Sequence, residues 1–135
     1  MVSKMYVAAK ALIKKNNKFL IVQQQVGNTV FIDLPGGRVE KGFSLTDTLY
    51  REVTEETTLV VKSHRIVGDY FFIRERDDDQ VVCVLYECEV EGEVEITNDF
   101  DENLVGYKWL TFDELKSSNG ICHPSFIECL ARFIK

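Results

Sequence analysis

Long apolar runs are absent from this 135-residue chain, so no segment is expected to cross a membrane as a helix. In the N-terminal MVSKMYVAAKALIKK, Lys4 and Lys10 interrupt the apolar residues; no signal peptide is expected, and the default location is the cytoplasm. Basic residues are outnumbered, 16 against 22 acidic, and a net charge of −6 argues against a broad nucleic-acid surface, which needs clustered cations. A small anionic ligand stays compatible if cations mediate the contact. Histidine is scarce as well: His64 and His123 show no ligand spacing and read as surface or turn residues. Cys83 and Cys88 lie five apart on an expected strand and so face opposite sides, and Cys122 and Cys129 have only His123 near them. Neither a zinc site nor a disulfide is expected.

What is present suits one globular domain spanning residues 1–135. Apolar residues make up 45% and charged residues 28%, enough of the first to bury a core and too little of the second for a disordered chain. Tyr6 to Lys14 and Phe19 to Gln24 are β-rich runs around KKNNK, whose asparagines tolerate a tight turn, and they predict an opening hairpin. Val30 to Ile32 is a short strand that Pro35, Gly36 and Gly37 end, leaving a loop before a helix. Ser44 caps that helix, which runs to about Thr57; Val60 and Val61 then begin a strand. Two long strands, Arg65 to Arg74 and Val81 to Val90, flank the acidic tip ERDDDQ, in which Asp77 to Asp79 read as a solvated turn. Beyond an acidic loop, Val105 to Leu110 is a strand, Thr111 opens a short helix with a capping box, and Pro124 begins a last helix through Ile134. No internal repeat is visible. Helices among paired strands indicate an α/β domain with helices on the sheet faces.

The first helix sets its own problem. With Leu45 at zero on a helical wheel, Leu49, Val53 and Leu59 define an apolar arc, and Glu52 and Glu56 fall in the middle of it with Glu55 at its edge. A buried carboxylate without compensation costs roughly several kcal/mol, so two of them one turn apart must be neutralised, paired or bound to a cation. Arg51 serves Glu55 or a neighbour, and hard oxygen ligands suit magnesium or manganese. A charged helix is more often simply solvated. The Gly36-Gly37 pair in front of it favours a site, because glycine lets the backbone approach a ligand closely.

The stretch LPGGRVEKGFSLTDTLYREVTEETTL resembles the signature of the Nudix hydrolase family, G-x5-E-x7-R-E-U-x-E-E-x-G-U, where U is bulky and aliphatic. Gly37 opens it; Arg51, Glu52, Val53, Glu55, Glu56 and Leu59 match, and Pro35, Gly36, Glu40 and Gly42 fit common flanking residues. Two positions depart: Phe43 stands where the family has its first glutamate, and Thr58 where it has a glycine. The resemblance implies an α/β/α sandwich with a mixed sheet, and hydrolysis of a phosphoanhydride in a nucleoside diphosphate linked to another group, using Mg2+ or Mn2+. It implies Glu52, Glu55, Glu56 and the Gly37 carbonyl as metal ligands, with Glu52, Glu55 and Arg51 as the catalytic set. Arg38 and Gly36 would meet the substrate phosphate. Glu52 is the first candidate for general base and a downstream acid among Asp99, Asp101 and Glu102 the second, against a reading of that loop as a solvated linker.

Pro35 and Pro124 are the only prolines, so the downstream proline of many ADP-ribose-cleaving members is missing, as is the four-cysteine module of NADH-cleaving ones. A nucleoside triphosphate or similar small nucleotide is then the expected substrate. The alternative is a Nudix-like binding or regulatory domain weakened by Phe43. The reading leaves a homodimer open.

Overall fold

The computed structural model describes residues 3–74, 77–97, 103–118 and 124–134. Among the described residues, eight strands and three helices follow one another as β1 (Met5–Leu12), β2 (Lys14–Lys15), β3 (Lys18–Val26), β4 (Thr29–Asp33), β5 (Gly36–Arg38), α1 (Leu45–Thr57), β6 (Val60–Ile73), β7 (Gln80–Glu91), β8 (Leu104–Leu110), α2 (Phe112–Lys116) and α3 (Pro124–Ile134). The strands form two sheets. One is mixed, ordered β5-β1-β7-β6; in the other β3 lies between β4 and β8 and also pairs with β2. The expected mixed α/β architecture is therefore present, with its strands divided between two sheets.

Alternation along β1 joins the two halves of the core. Ala8 and Leu12 belong to a cluster with Phe19 and Ile21 of β3 and with Phe126 and Leu130 of α3. Ala9, Ala11 and Ile13 belong to a second cluster with Leu49 and Val53 of α1. The alanines matter here, because small side chains let a helix lie close to the strand. Burying Leu49 and Val53 contributes about 1.5–3 kcal/mol each.

Three expectations need correction. The opening hairpin is real only at its tip: Asn16 and Asn17 take positive φ of 52° and 64°, but β3 pairs with the two residues of β2. β1 goes instead to the other sheet, parallel to β7 and antiparallel to β5. Turn chemistry specified the hairpin, whereas a partner distant in sequence claimed the strand. The loop expected at Gly36-Gly37 is itself a strand, β5, whose residues pair with Ala8, Ala9 and Lys10. At the acidic tip, Asp79 is not solvated: it is 7% exposed and its Oδ1 accepts the Lys4 N–H at 2.8 Å. Arg74 Nη2 reaches Asp77 at 2.7 Å and Asp79 at 3.1 Å, so the aspartates staple the turn at Asp78, φ 59°, to the strand end.

The helix boundaries agree with the capping residues. Ser44 Oγ accepts the Asp47 N–H at 3.0 Å at the start of α1, and Thr111 and Glu114 complete a reciprocal capping box on α2. Thr58 closes α1 in the left-handed conformation at φ 65°. The turn at the position where the resembled signature has glycine is thus made here by threonine, whose Oγ1 donates to the carbonyls of Thr57 and Glu93.

Candidate active site

The site is built where β5 passes between β1 and α1. The Ala11 N–H donates to the Pro35 carbonyl and the Val39 N–H to the Val7 carbonyl, both at 2.8 Å, which fixes the glycines in register. Gly36 has φ +141°, and a Cβ there would lie 2.1 Å from the Ala9 carbonyl oxygen. Only glycine can occupy it. A Cβ on Gly37 would lie 2.7 Å from Glu52 Cδ, so this second glycine makes the space in which the Glu52 carboxylate rests. The Gly36 N–H donates to Glu56 Oε1 at 3.3 Å. Each glycine therefore places one carboxylate of the next helix.

On α1 the wheel reading holds. Glu56 is 6% exposed, and the Glu52 side chain is mostly buried, with its Oε2 fully so. Arg51 joins Glu52 to Glu55: its Nη2 is 3.4 Å from Glu52 Oε1 and its Nε 3.9 Å from Glu55 Oε1. Burial pushes the Glu55 carboxyl above its ordinary value and the charge of Glu52 pushes it further, with Arg51 opposing both. Glu52 and Glu56 are thus the carboxylates that meet β5, with Arg51 and Glu55 beside Glu52 on the helix. Arg38, expected at the phosphate, lays its guanidinium on the Tyr6 ring at 4.1 Å. Asp99, Asp101 and Glu102 lie outside the described residues.

Lys10 and Asp33 form an ion pair beside the site that the sequence reading missed. Lys10 Nζ donates to Asp33 Oδ2 at 2.9 Å with only 8% of the lysine side chain exposed, while Asp33 Oδ1 accepts the Leu34 N–H at 2.7 Å. Burial alone would lower the Lys10 pKa; Asp33 and then Glu56 reverse this and hold the ammonium above its ordinary range. The pair anchors the end of β4, from which the glycines depart, and lends positive charge to Glu56. The signal was a single lysine inside the apolar run VAAKAL, which reads as an interruption until a partner in another strand is known.

Carboxylate oxygens are donors suited to a hard divalent cation, and the repulsion between Glu52 and Glu55 is what such an ion would relieve. Among the described residues, no three His, Cys, Asp or Glu side chains stand close enough together to enclose an ion. The carboxylates fit the cation in kind but not, as they stand, in number within reach of one ion.

A family model for the NUDIX domain matches residues 4–128. An ADP-ribose pyrophosphatase of Methanocaldococcus jannaschii is 32% identical over 89 residues, covering 64% of this chain and 52% of that protein; the match spans about half the relative's length. The structure of a MutT protein from Methanosarcina mazei Go1 superposes with a TM-score of 0.82 at 22% identity, covering 99% of this chain and 96% of the other. A NUDIX hydrolase from Nitrosomonas europaea gives 0.77 at 23% identity, covering 97% and 89%. Those two likenesses show the fold; the family model, matching nearly the whole sequence, shows that this chain belongs to the Nudix hydrolase family.

Proposed function

We propose that this protein hydrolyses a phosphoanhydride bond in a nucleoside diphosphate linked to another group, with Mg2+ or Mn2+ held by Glu52, Glu55, Glu56 and the Gly37 carbonyl. The observation that carries it is the fit of two glutamates to two glycines: Glu52 seated against Gly37, and Glu56 held by the Gly36 N–H. Such an ion would neutralise phosphate oxygens and lower the pKa of a water. Glu52, whose carboxylate packs on β5, is the first candidate to take that water's proton. Arg51 holds Glu52 and Glu55 in place against their mutual repulsion. Arg38 and the Gly36 backbone would face the substrate phosphate, Arg38 by leaving its stack on Tyr6. The downstream acids remain the second source of the base.

A nucleoside triphosphate or similar small nucleotide is our first substrate reading. ADP-ribose is the second, favoured by the name of the archaeal relative. No helix among the described residues is long and apolar enough to cross a membrane, and we place the protein in the cytoplasm, as a single domain able to form a homodimer.

The test is release of phosphate or pyrophosphate from nucleoside triphosphates, nucleotide sugars, dinucleoside polyphosphates and ADP-ribose with either ion, for wild type and Glu56→Gln. Metal-dependent turnover that falls at least about a hundredfold in the variant is expected. If nothing turns over while a nucleotide still raises the melting temperature, the chain binds without cutting. That is the alternative raised by Phe43.

A further inference from the structure

Phe43 is the residue that breaks the family pattern, and its surroundings give it a use. A tight turn delivers it: the Phe43 N–H donates to the Glu40 carbonyl at 3.0 Å, with Gly42 at φ +94° in the third position of that turn. The ring arrives just before the Ser44 cap and stays 49% exposed. An apolar residue there commonly packs against the fourth helical position, which is the polar Thr48. What Phe43 does meet is Arg51, whose guanidinium carbon lies 5.3 Å from the ring centroid, within the range of a cation–π contact. The ion pairs of Arg51 with Glu52 and Glu55, at 3.4 and 3.9 Å, are too long to fix it alone.

We propose that Phe43 is a positioning residue: its ring face supplies the third point that holds Arg51 between Glu52 and Glu55. A neutral ring does so without bringing a fourth carboxylate up to a helix on which Glu52 already repels Glu55. The inference rests on the hydrolase reading for its kinetic and Mn2+ arms; the NMR arm stands without it.

The test compares wild type with Phe43→Leu, which keeps an apolar side chain and loses the ring, and with Phe43→Trp, which keeps a ring. Mn2+ affinity is measured by calorimetry without nucleotide, and the Arg51 Nε–H resonance by NMR for its ring-current displacement. Phe43→Leu is expected to weaken Mn2+ binding about two- to fivefold and to abolish the displacement, with Phe43→Trp preserving both. On whichever substrate turns over, kcat should fall in Phe43→Leu with KM unchanged, and the melting temperature should barely move because the ring is half-exposed. Equal Mn2+ affinity and an unmoved Arg51 resonance in Phe43→Leu would overturn the proposal. A wild type without turnover would sink the hydrolase reading, and the NMR comparison would still decide the role of Phe43.

Discussion

Two adjacent glycines do different work, and substitution should separate them. Alanine at Gly36 would force a Cβ to 2.1 Å from a backbone oxygen at φ +141°, and the Ala9 carbonyl cannot retreat without breaking β1 from β5. Gly36→Ala is expected to destabilise by at least about 3 kcal/mol, seen as a large drop in melting temperature. At Gly37 the obstacle is the end of the Glu52 side chain, which can rotate away. Gly37→Ala should therefore cost less than about 1 kcal/mol of stability, while activity falls at least about tenfold because Glu52 no longer sits where it must. A Gly37→Ala protein that melts early and, once folded, works normally would show that the glycine serves the fold and not the carboxylate. Both residues were legible in the sequence as a site signal, but which atoms each must avoid was not.

Elements are tied together by charges that the sequence does not advertise. Lys10 on β1 and Asp33 on β4 connect the two sheets through one partly buried ion pair, beside the glutamate at the end of α1. Lys10→Met leaves Asp33 and Glu56 without that compensation and should cost about 3 kcal/mol in denaturant unfolding. Replacing both partners, as in Lys10→Met with Asp33→Leu, should recover part of that loss; a strictly additive double variant would argue against the pair. On α2 the capping box shows its charge through pH. Backbone and side-chain hydrogen bonds at Thr111 hold the Glu114 carboxyl below its ordinary value of 4.5. A carboxyl lowered on folding binds protons more readily in the unfolded chain, so its contribution is present above pH 4.5 and is lost as pH falls through the lower folded value. Glu114→Gln should flatten that part of the acid-stability curve, and an unchanged curve would remove the capping box as its source. The capping residues Ser44 and Thr111 were readable because a cap is local, spanning three residues. β5 was not, because a three-residue strand exists only through its partner β1.

For the whole molecule, β1 contributes Ala8 and Leu12 to one core cluster and Ala9 and Ala11 to the other, so neither cluster can open without disturbing a strand they share. We propose that the chain unfolds as one cooperative unit. Trp109 packs against the second cluster, and its fluorescence should follow the same denaturant midpoint as far-UV circular dichroism. Two separated midpoints would mean that the sheets come apart independently.

By itself the sequence determined what depends on neighbours along the chain: helix caps, the asparagine turn, the strand runs, and the periodicity that turns Glu52 and Glu56 inward with Leu49 and Val53. It also determined the family, because the spaced pattern from Gly37 to Leu59 is a property of order along the chain. Tertiary structure alone decided what depends on partners far apart in sequence. It sent β1 to β7, made a strand of Gly36–Arg38, buried Lys10 against Asp33, stacked Arg38 on Tyr6, and set the Phe43 ring beside Arg51. The physical reason is that pairing energy and desolvation depend on which groups meet in space, and a pattern of 3.6 or 2 residues says which way a side chain faces but not what it faces.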